Sequence, residues 1–151
     1  MVPRGIQGWA DGLRHLRVSA SRLIRIVAAL IVNDAGEVLL VRKRGTTMFM
    51  QPGGKYEPGE SAPEALVREL NEELGIVARP DDLEHLGYFE ADAANEAGHT
   101  VEAEVYSLRI TGPVSPLAEI EEFLWLDLAD LDTVPVAPLS VEKIFPLIAR
   151  G

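Results

Sequence analysis

The chain has no cysteine, which removes disulfides and thiolate metal sites from consideration. Three histidines among 151 residues disfavour a multi-histidine zinc centre as well. Any metal chemistry here must be oxygen chemistry, which suits Mg²⁺ or Mn²⁺. Positive charge is also scarce: 14 Lys and Arg stand against 24 Asp and Glu, a formal net charge of −10. So acidic a surface repels phosphates and argues against a DNA or RNA duplex as partner. A small anionic substrate remains open if divalent cations and a few local basic residues screen it. Long apolar runs are missing too. The longest candidate, Ile24 to Val32, is interrupted by Arg25 and is too short to span a bilayer. Residues 1–22 lack the continuous apolar block of a secretory signal, so no membrane partner and a cytoplasmic location are the expectations.

What the chain does contain is one domain's worth of patterned sequence. Residues 1–22 read as an N-terminal extension, partly non-native in character at Val2-Pro3-Arg4-Gly5. In it Trp9, Leu13 and Leu16 are spaced like one side of a short helix. From residue 23 to 151 the pattern is that of a single domain. Ile24 to Val32 and Glu37 to Lys43 flank the turn Asn33-Asp34-Ala35-Gly36 and predict a hairpin. Gly45 to Gly59 is rich in Gly and Pro and predicts a loop. Ser61 to Leu74 predicts a helix with Ser61 as N-cap, Pro63 and Glu64 in the first turn and Gly75 as the stop. Strands follow at Leu83 to Ala91, Val101 to Ile110 and Glu122 to Leu126, and a closing helix at Ser140 to Ala149. Strands on both sides of a helix, with a second helix at the end, indicate an α+β fold built as an α/β/α sandwich.

The chemistry concentrates between Gly54 and Ile76. Residues three and four apart share a helix face, so Glu69, Glu72 and Glu73 project in roughly the same direction. Crowded carboxylates repel one another unless a cation sits among them, and hard divalent ions would resolve the conflict. A solvated acidic face would account for a lone Glu-Glu pair. It does not account for the Gly-rich loop that opens this helix, for Lys55 at the mouth of that loop, or for Arg68 and Glu60, which offer an ion pair between loop and helix.

The block Gly54-Lys-Tyr-Glu-Pro-Gly-Glu60, seven residues, then Arg68-Glu69-Leu70-Asn71-Glu72-Glu73-Leu74-Gly75-Ile76 resembles the Nudix box at every fixed position. The flanking pattern from about Leu23 to Ala149 is compatible with that family's mixed β-sheet sandwiched by helices. The resemblance implies a Mg²⁺-dependent (or Mn²⁺-dependent) pyrophosphohydrolase acting on a nucleoside diphosphate linked to another moiety. It implies that Glu69, Glu72 and Glu73 hold the metal with the carbonyl of Gly53, and that Glu69 is alternatively the base. Gly54, Glu60 and Arg68 take supporting positions, with Arg68 orienting the catalytic Glu. A further acidic residue outside the box is expected, and Glu119 is the single choice over Glu121 and Glu122. Glu102 and Glu104 read as outward, solvated positions.

Lys55 and one of Arg42 and Arg44 are expected phosphate contacts, because those two arginines share a strand face, whereas Lys43 reads as a charged strand end. Phe49 and its neighbouring Met residues are candidates for an adaptable apolar wall against a base. Gln51 stands before Pro-Gly-Gly, where MutT-like members of the family often carry a large apolar residue. It either hydrogen-bonds a base edge or faces solvent. His99 ends a polar loop, Asp92 to Gly98, that could cover a substrate; His85 and His15 have weaker claims. MutT-like nucleoside triphosphate hydrolysis is the favoured activity, with an ADP-ribose or other sugar-nucleotide or dinucleotide pyrophosphatase as the alternative. A non-catalytic nucleotide sensor is disfavoured by the intact box. The basic arm and exposed strands are compatible with a homodimer.

Overall fold

The structure is a computed structural model and describes residues 23–94 and 96–150. The readings made on Trp9, Leu13, Leu16 and His15 lie outside the described residues. Among the described residues there are six strands and two α-helices: β1 (Leu23–Leu30), β2 (Val38–Lys43), β3 (Gly53–Lys55), α1 (Ala62–Leu74), β4 (Glu84–Asp92), β5 (Thr100–Ser107), β6 (Ile120–Leu126) and α2 (Phe145–Arg150). Short 3-10 turns occupy Pro80–Asp82 and Leu128–Thr133, and a π-helical turn, Leu139–Ile144, runs into α2. Among the described residues no helix is long and apolar enough to cross a membrane.

β1 is the hub, and its burial explains the sheet around it. Val27, Ala28, Ala29 and Leu30 are all buried, so this stretch needs cover on both faces and a partner on both edges. It has β3 antiparallel on one edge and β5 parallel on the other; β4 then pairs antiparallel with β5, giving the order β3-β1-β5-β4. Val27 and Ala29 pack with Leu66, Leu70 and Leu74 of α1. Ala28 and Leu30 face the other way, into a cluster with Val101, Ala103, Val105, Leu139, Ile144 and Phe145. The result is an α+β sandwich, with a mixed sheet between α1 and the closing helix.

The predicted hairpin is only half present. Asn33 and Glu37 close the turn, and Val32 bridges Val38. Beyond that point the strands part: β2 pairs antiparallel with β6 in a separate two-stranded sheet, from Val38↔Leu126 to Lys43↔Ile120. β1 has its edges filled by β3 and β5, so β2 must find another partner. The predicted loop Gly45–Gly59 also conceals β3. Its Gly-Gly-Lys sequence has no β-propensity, and its strand character comes from backbone pairing with Ile26, Val27 and Ala28.

Helix α1 forms as expected. Ser61 Oγ accepts from Glu64 N (3.2 Å) while Glu64 Oε1 accepts from Ser61 N (2.9 Å), a reciprocal capping box. Gly75 closes the helix in the left-handed conformation at φ 69°. Its apolar face, centred on the fully buried Leu70, holds the acidic face in place. Leu70→Ala is therefore expected to cost about 2–5 kcal/mol, read as a lower urea midpoint; a loss under about 1 kcal/mol would contradict tight packing of this face.

Candidate active site

Arg68 ties together the block from Gly54 to Ile76 in space as well as lying within it in sequence. Its Nε donates to Glu60 Oε2 at 2.6 Å and its Nη2 to Glu60 Oε1 at 2.9 Å, a two-pronged, charge-assisted pairing. Nη2 also donates to the Lys55 carbonyl (3.0 Å), and Nη1 reaches Glu69 Oε2 (3.3 Å) and Glu72 Oε1 (3.2 Å). The expected loop-to-helix ion pair is thus formed. It holds the Glu60 carboxyl below the usual carboxylate range and raises the Arg68 guanidinium further.

The loop brings backbone against carboxylate. Gly53 N donates to Glu73 Oε1 at 3.2 Å. A Cβ on Gly54 would lie 2.4 Å from Glu69 Oε2, and one on Gly53 would lie 2.1 Å from the Val27 carbonyl. Neither position can carry a side chain without displacing the strand or the carboxylate.

The three box carboxylates have different surroundings. Glu73 is 3% exposed. Burial pushes its carboxyl up from an ordinary 4.5 to about 8, against the Gly53 hydrogen bond, with Glu69 and Glu119 adding repulsion and Lys43 opposing. Glu69 is half-buried and raised as well, chiefly by desolvation, with Arg68 pulling the other way. Glu72 is the solvent-facing member, with its side chain 51% exposed.

A cleft of about 480 Å³ opens beside this helix face. Its lining joins Glu69, Gly53, Gly54, Lys55, Lys43 and Glu119 with Ile24, Ile26, Met50, Gln51, Val101 and Leu139. The loop after β4 supplies Asp92, Ala93, Ala94 and Glu96 to the rim, in line with the polar stretch expected to border the substrate. Glu119, the acid chosen outside the box, lies at the cleft with Lys43 Nζ 3.9 Å from its carboxylate.

Several expectations need correction. Arg42 and Arg44 are not in the cleft lining. Arg42 pairs with Glu122 (2.6 Å) and donates to the Thr46 carbonyl (2.8 Å), while Arg44 pairs with Glu121 (3.2 Å) and donates to the Ala118 carbonyl (3.2 Å). Lys43, set aside as a strand end, is the β2 cation that lines the cleft. Alternation itself holds on β2: Lys43 continues the face of Leu39 and Val41, which pack in the α1 cluster, and Arg42 continues the opposite face of Val38 and Leu40. The face that meets the cleft is the one bearing Lys43. Phe49 is buried in the core with Val38, Leu139 and Phe145, so Met50 rather than Phe49 forms the wall. Gln51 is 5% exposed, which overturns its solvent-facing alternative. Glu102 and Glu104 stay on the sheet away from the cleft, as expected, engaged by Tyr88 and Arg25 and by His85 (2.6 Å) respectively. His99 Nδ1 lies 3.2 Å from the Ala97 carbonyl.

Among the described residues, no group of three or more His, Asp or Glu is placed to hold a metal ion; Glu69 and Glu72 are turned onto Arg68 instead. In kind, however, the donors suit a hard divalent cation. Among the described residues no cationic side chain contacts the buried Glu73 carboxyl, Glu69 is raised beside it, and every donor is oxygen.

The fold and this carboxylate-bearing helix define a Nudix domain. A family model described as the NUDIX domain matches residues 22–148, and the chain belongs to the Nudix hydrolase family. The crystal structure of the MutT protein from Methanosarcina mazei Go1 superimposes with a TM-score of 0.67 at 29% identity, over 85% of this chain and 94% of that one. By sequence, the chain is 38% identical over 73 residues to the 8-oxo-dGTP diphosphatase of Haemophilus influenzae, covering 46% of this chain and 54% of the relative. It is 28% identical over 117 residues to the ADP-ribose pyrophosphatase of Methanocaldococcus jannaschii, covering 76% of this chain and 66% of that protein. The matches thus span less than two thirds of the length of these curated relatives.

The burial of Glu73 sets a pH dependence. In the unfolded chain its carboxyl ionises near 4.5, whereas in the fold it keeps its proton to about 8. The folded state therefore binds more protons between those values, and this contribution to stability is lost as pH rises through them. With chelator present, the melting temperature of the wild type is expected to fall more steeply from about pH 5 to 8 than that of Glu73→Gln. Parallel pH profiles for the two proteins would contradict the burial assignment.

Proposed function

We propose that the protein is a Mg²⁺-dependent pyrophosphohydrolase, with Mn²⁺ as a substitute ion. It cleaves a phosphoanhydride bond in a nucleoside diphosphate linked to another moiety, with MutT-like hydrolysis of nucleoside triphosphates favoured. The observation that carries this reading is the continuity of the cleft. One lining brings together a box carboxylate, glycine backbone, two lysines and the apolar side chains Ile24, Ile26, Met50, Val101 and Leu139, which are able to receive a base.

Glu69, Glu72 and Glu73, with the Gly53 carbonyl, would hold the metal. That ion would neutralise the diphosphate and stabilise charge on the leaving oxygen. Lys43 and Lys55 bring the only cationic side chains among the described residues of the cleft lining, and they contact phosphate oxygens. Water attacks phosphorus, the bond from phosphorus to the bridging oxygen breaks, and the water proton passes to a carboxylate. Glu69 and Glu119 both line the cleft and are the candidates for that base. Arg68 fixes Glu69 from behind. The substrate is a small-molecule nucleotide rather than a duplex, consistent with the net charge of −10.

ADP-ribose or another sugar-nucleotide or dinucleotide substrate is the second reading, favoured by the Methanocaldococcus jannaschii relative whose match extends over 76% of the chain. A nucleotide panel assayed with Mg²⁺ separates the two by product mass: a nucleoside monophosphate with pyrophosphate, or AMP with a sugar phosphate. Glu72→Gln is expected to lower Mg²⁺-dependent turnover by about a hundredfold or more while leaving the unfolding transition intact. Turnover at the wild-type rate would remove Glu72 from the metal set.

A further inference from the structure

The cleft lining includes a buried polar side chain whose orientation the protein itself dictates. Gln51 lines the cleft and is 5% exposed. Its Nε2 donates to the Ala29 carbonyl at 2.9 Å, and its Oε1 accepts from Ser140 Oγ at 2.9 Å. Ala29 belongs to the buried middle of β1, and Ser140 is 1% exposed on the π-helical turn that precedes α2. Such turns recur at functional positions in helices. A carbonyl oxygen only accepts hydrogen bonds, so the Gln51 amide cannot turn over without setting Oε1 against the Ala29 carbonyl. A primary amide offers two N–H groups and two lone pairs on oxygen, and these contacts use one of each. One N–H and one lone pair remain, on an amide whose nitrogen and oxygen cannot exchange places.

We propose that Gln51, held by Ser140, distinguishes amino-bearing from oxo-bearing nucleobases. This inference rests on the nucleotide reading of the cleft. Adenine and cytosine present an exocyclic N–H beside a ring nitrogen that accepts. Hypoxanthine and uracil present the reverse, an exocyclic oxygen beside a ring N–H. An amide free to turn would match either order, whereas a locked one matches only one. The neighbouring side chains Ile24, Ile26, Met50, Val101 and Leu139 offer no strong hydrogen bond to compensate the mismatched base. Ser140 is absent from the cleft lining and acts through Gln51 as a positioning residue. The mutual order of donor and acceptor, rather than the size of the pocket, sets the choice.

The test compares ligands that differ only by the amino–oxo exchange. Dissociation constants for AMP against IMP, and for CMP against UMP, are measured by calorimetry without metal. Then kcat/KM is measured with Mg²⁺ for ATP against ITP and CTP against UTP. The wild type is expected to prefer one member of each pair by about tenfold or more, in the same sense for both pairs, as an unpaired buried polar group produces. Gln51→Leu is expected to bring the ratios toward one, Ser140→Ala to reduce them several-fold, and Ser140→Thr to restore them. A purely structural role for Ser140 would lower stability without moving these ratios. If Gln51→Leu does not unfold cooperatively, Ser140→Ala decides alone. Equal treatment within each pair by the wild type, or ratios unmoved in the variants, overturns the inference. If the wild type neither binds nor cleaves any nucleotide, the nucleotide reading itself fails with it; if it cleaves nucleotides with unmoved ratios, only the role of Gln51 fails.

Discussion

The pairing of Arg68 with Glu60 fastens a Gly- and Pro-rich loop to the acidic face of a helix, beside the Gly53–Glu73 hydrogen bond and the pairing of β3 with β1. Both oxygens of Glu60 are engaged by the guanidinium, and Glu60 Oε1 also accepts from Glu57 N at 2.8 Å. The same guanidinium binds the Lys55 carbonyl, so the strand carrying Gly53 and Gly54 is pinned beside the helix. Only then can Gly54 lie against Glu69 and Gly53 donate to Glu73. Arg68 also spreads its charge over Glu57, Glu69 and Glu72, which limits the repulsion among carboxylates that α1 places on one face. Breaking one partner of so enclosed a set would leave uncompensated charge behind, the expensive outcome for partly buried ion pairs.

The second organising element is β1. Its alternating residues pack against α1 on one side and against the closing helix on the other. Its backbone pairs with the loop strand β3 and gives the Ala29 carbonyl to Gln51. Its first residues, Ile24 and Ile26, extend past the core into the cleft wall. One strand thus touches the carboxylate-bearing helix, the glycine strand and the apolar lining of the cleft, so a shift in its register would disturb all three.

Much of this was readable beforehand. The helix was bounded by Ser61 and Gly75 because capping is a local matter of side-chain and backbone hydrogen bonding. The grouping of Glu69, Glu72 and Glu73 followed from helical period, and the Arg68–Glu60 contact from the need to neutralise charge near it. Glu119 was picked from its place ahead of a strand and does reach the cleft. Failures came where distant backbone decided. Two glycines and a lysine carry no strand pattern, yet β3 exists because β1 has an open edge. The turn at Asn33 promised a hairpin, but β2 pairs with β6, a strand some eighty residues away in sequence, as the Arg42↔Glu122 pairing shows.

Local chemistry in the sequence therefore determined the helix, its caps, its carboxylate face and the ion pair that anchors the preceding loop, because each depends on residues within a few turns of one another. Tertiary structure alone decided which cation lines the cleft, since period-two alternation separates Lys43 from its arginine neighbours but does not say which face of β2 packs toward α1. It alone decided that Phe49 belongs to the core and Met50 to the cleft. It also fixed Gln51: a polar residue ahead of Pro-Gly-Gly reads equally well as buried or exposed. Only the arrival of the Ala29 carbonyl from one strand and the Ser140 hydroxyl from the chain's far end gives its amide a single orientation.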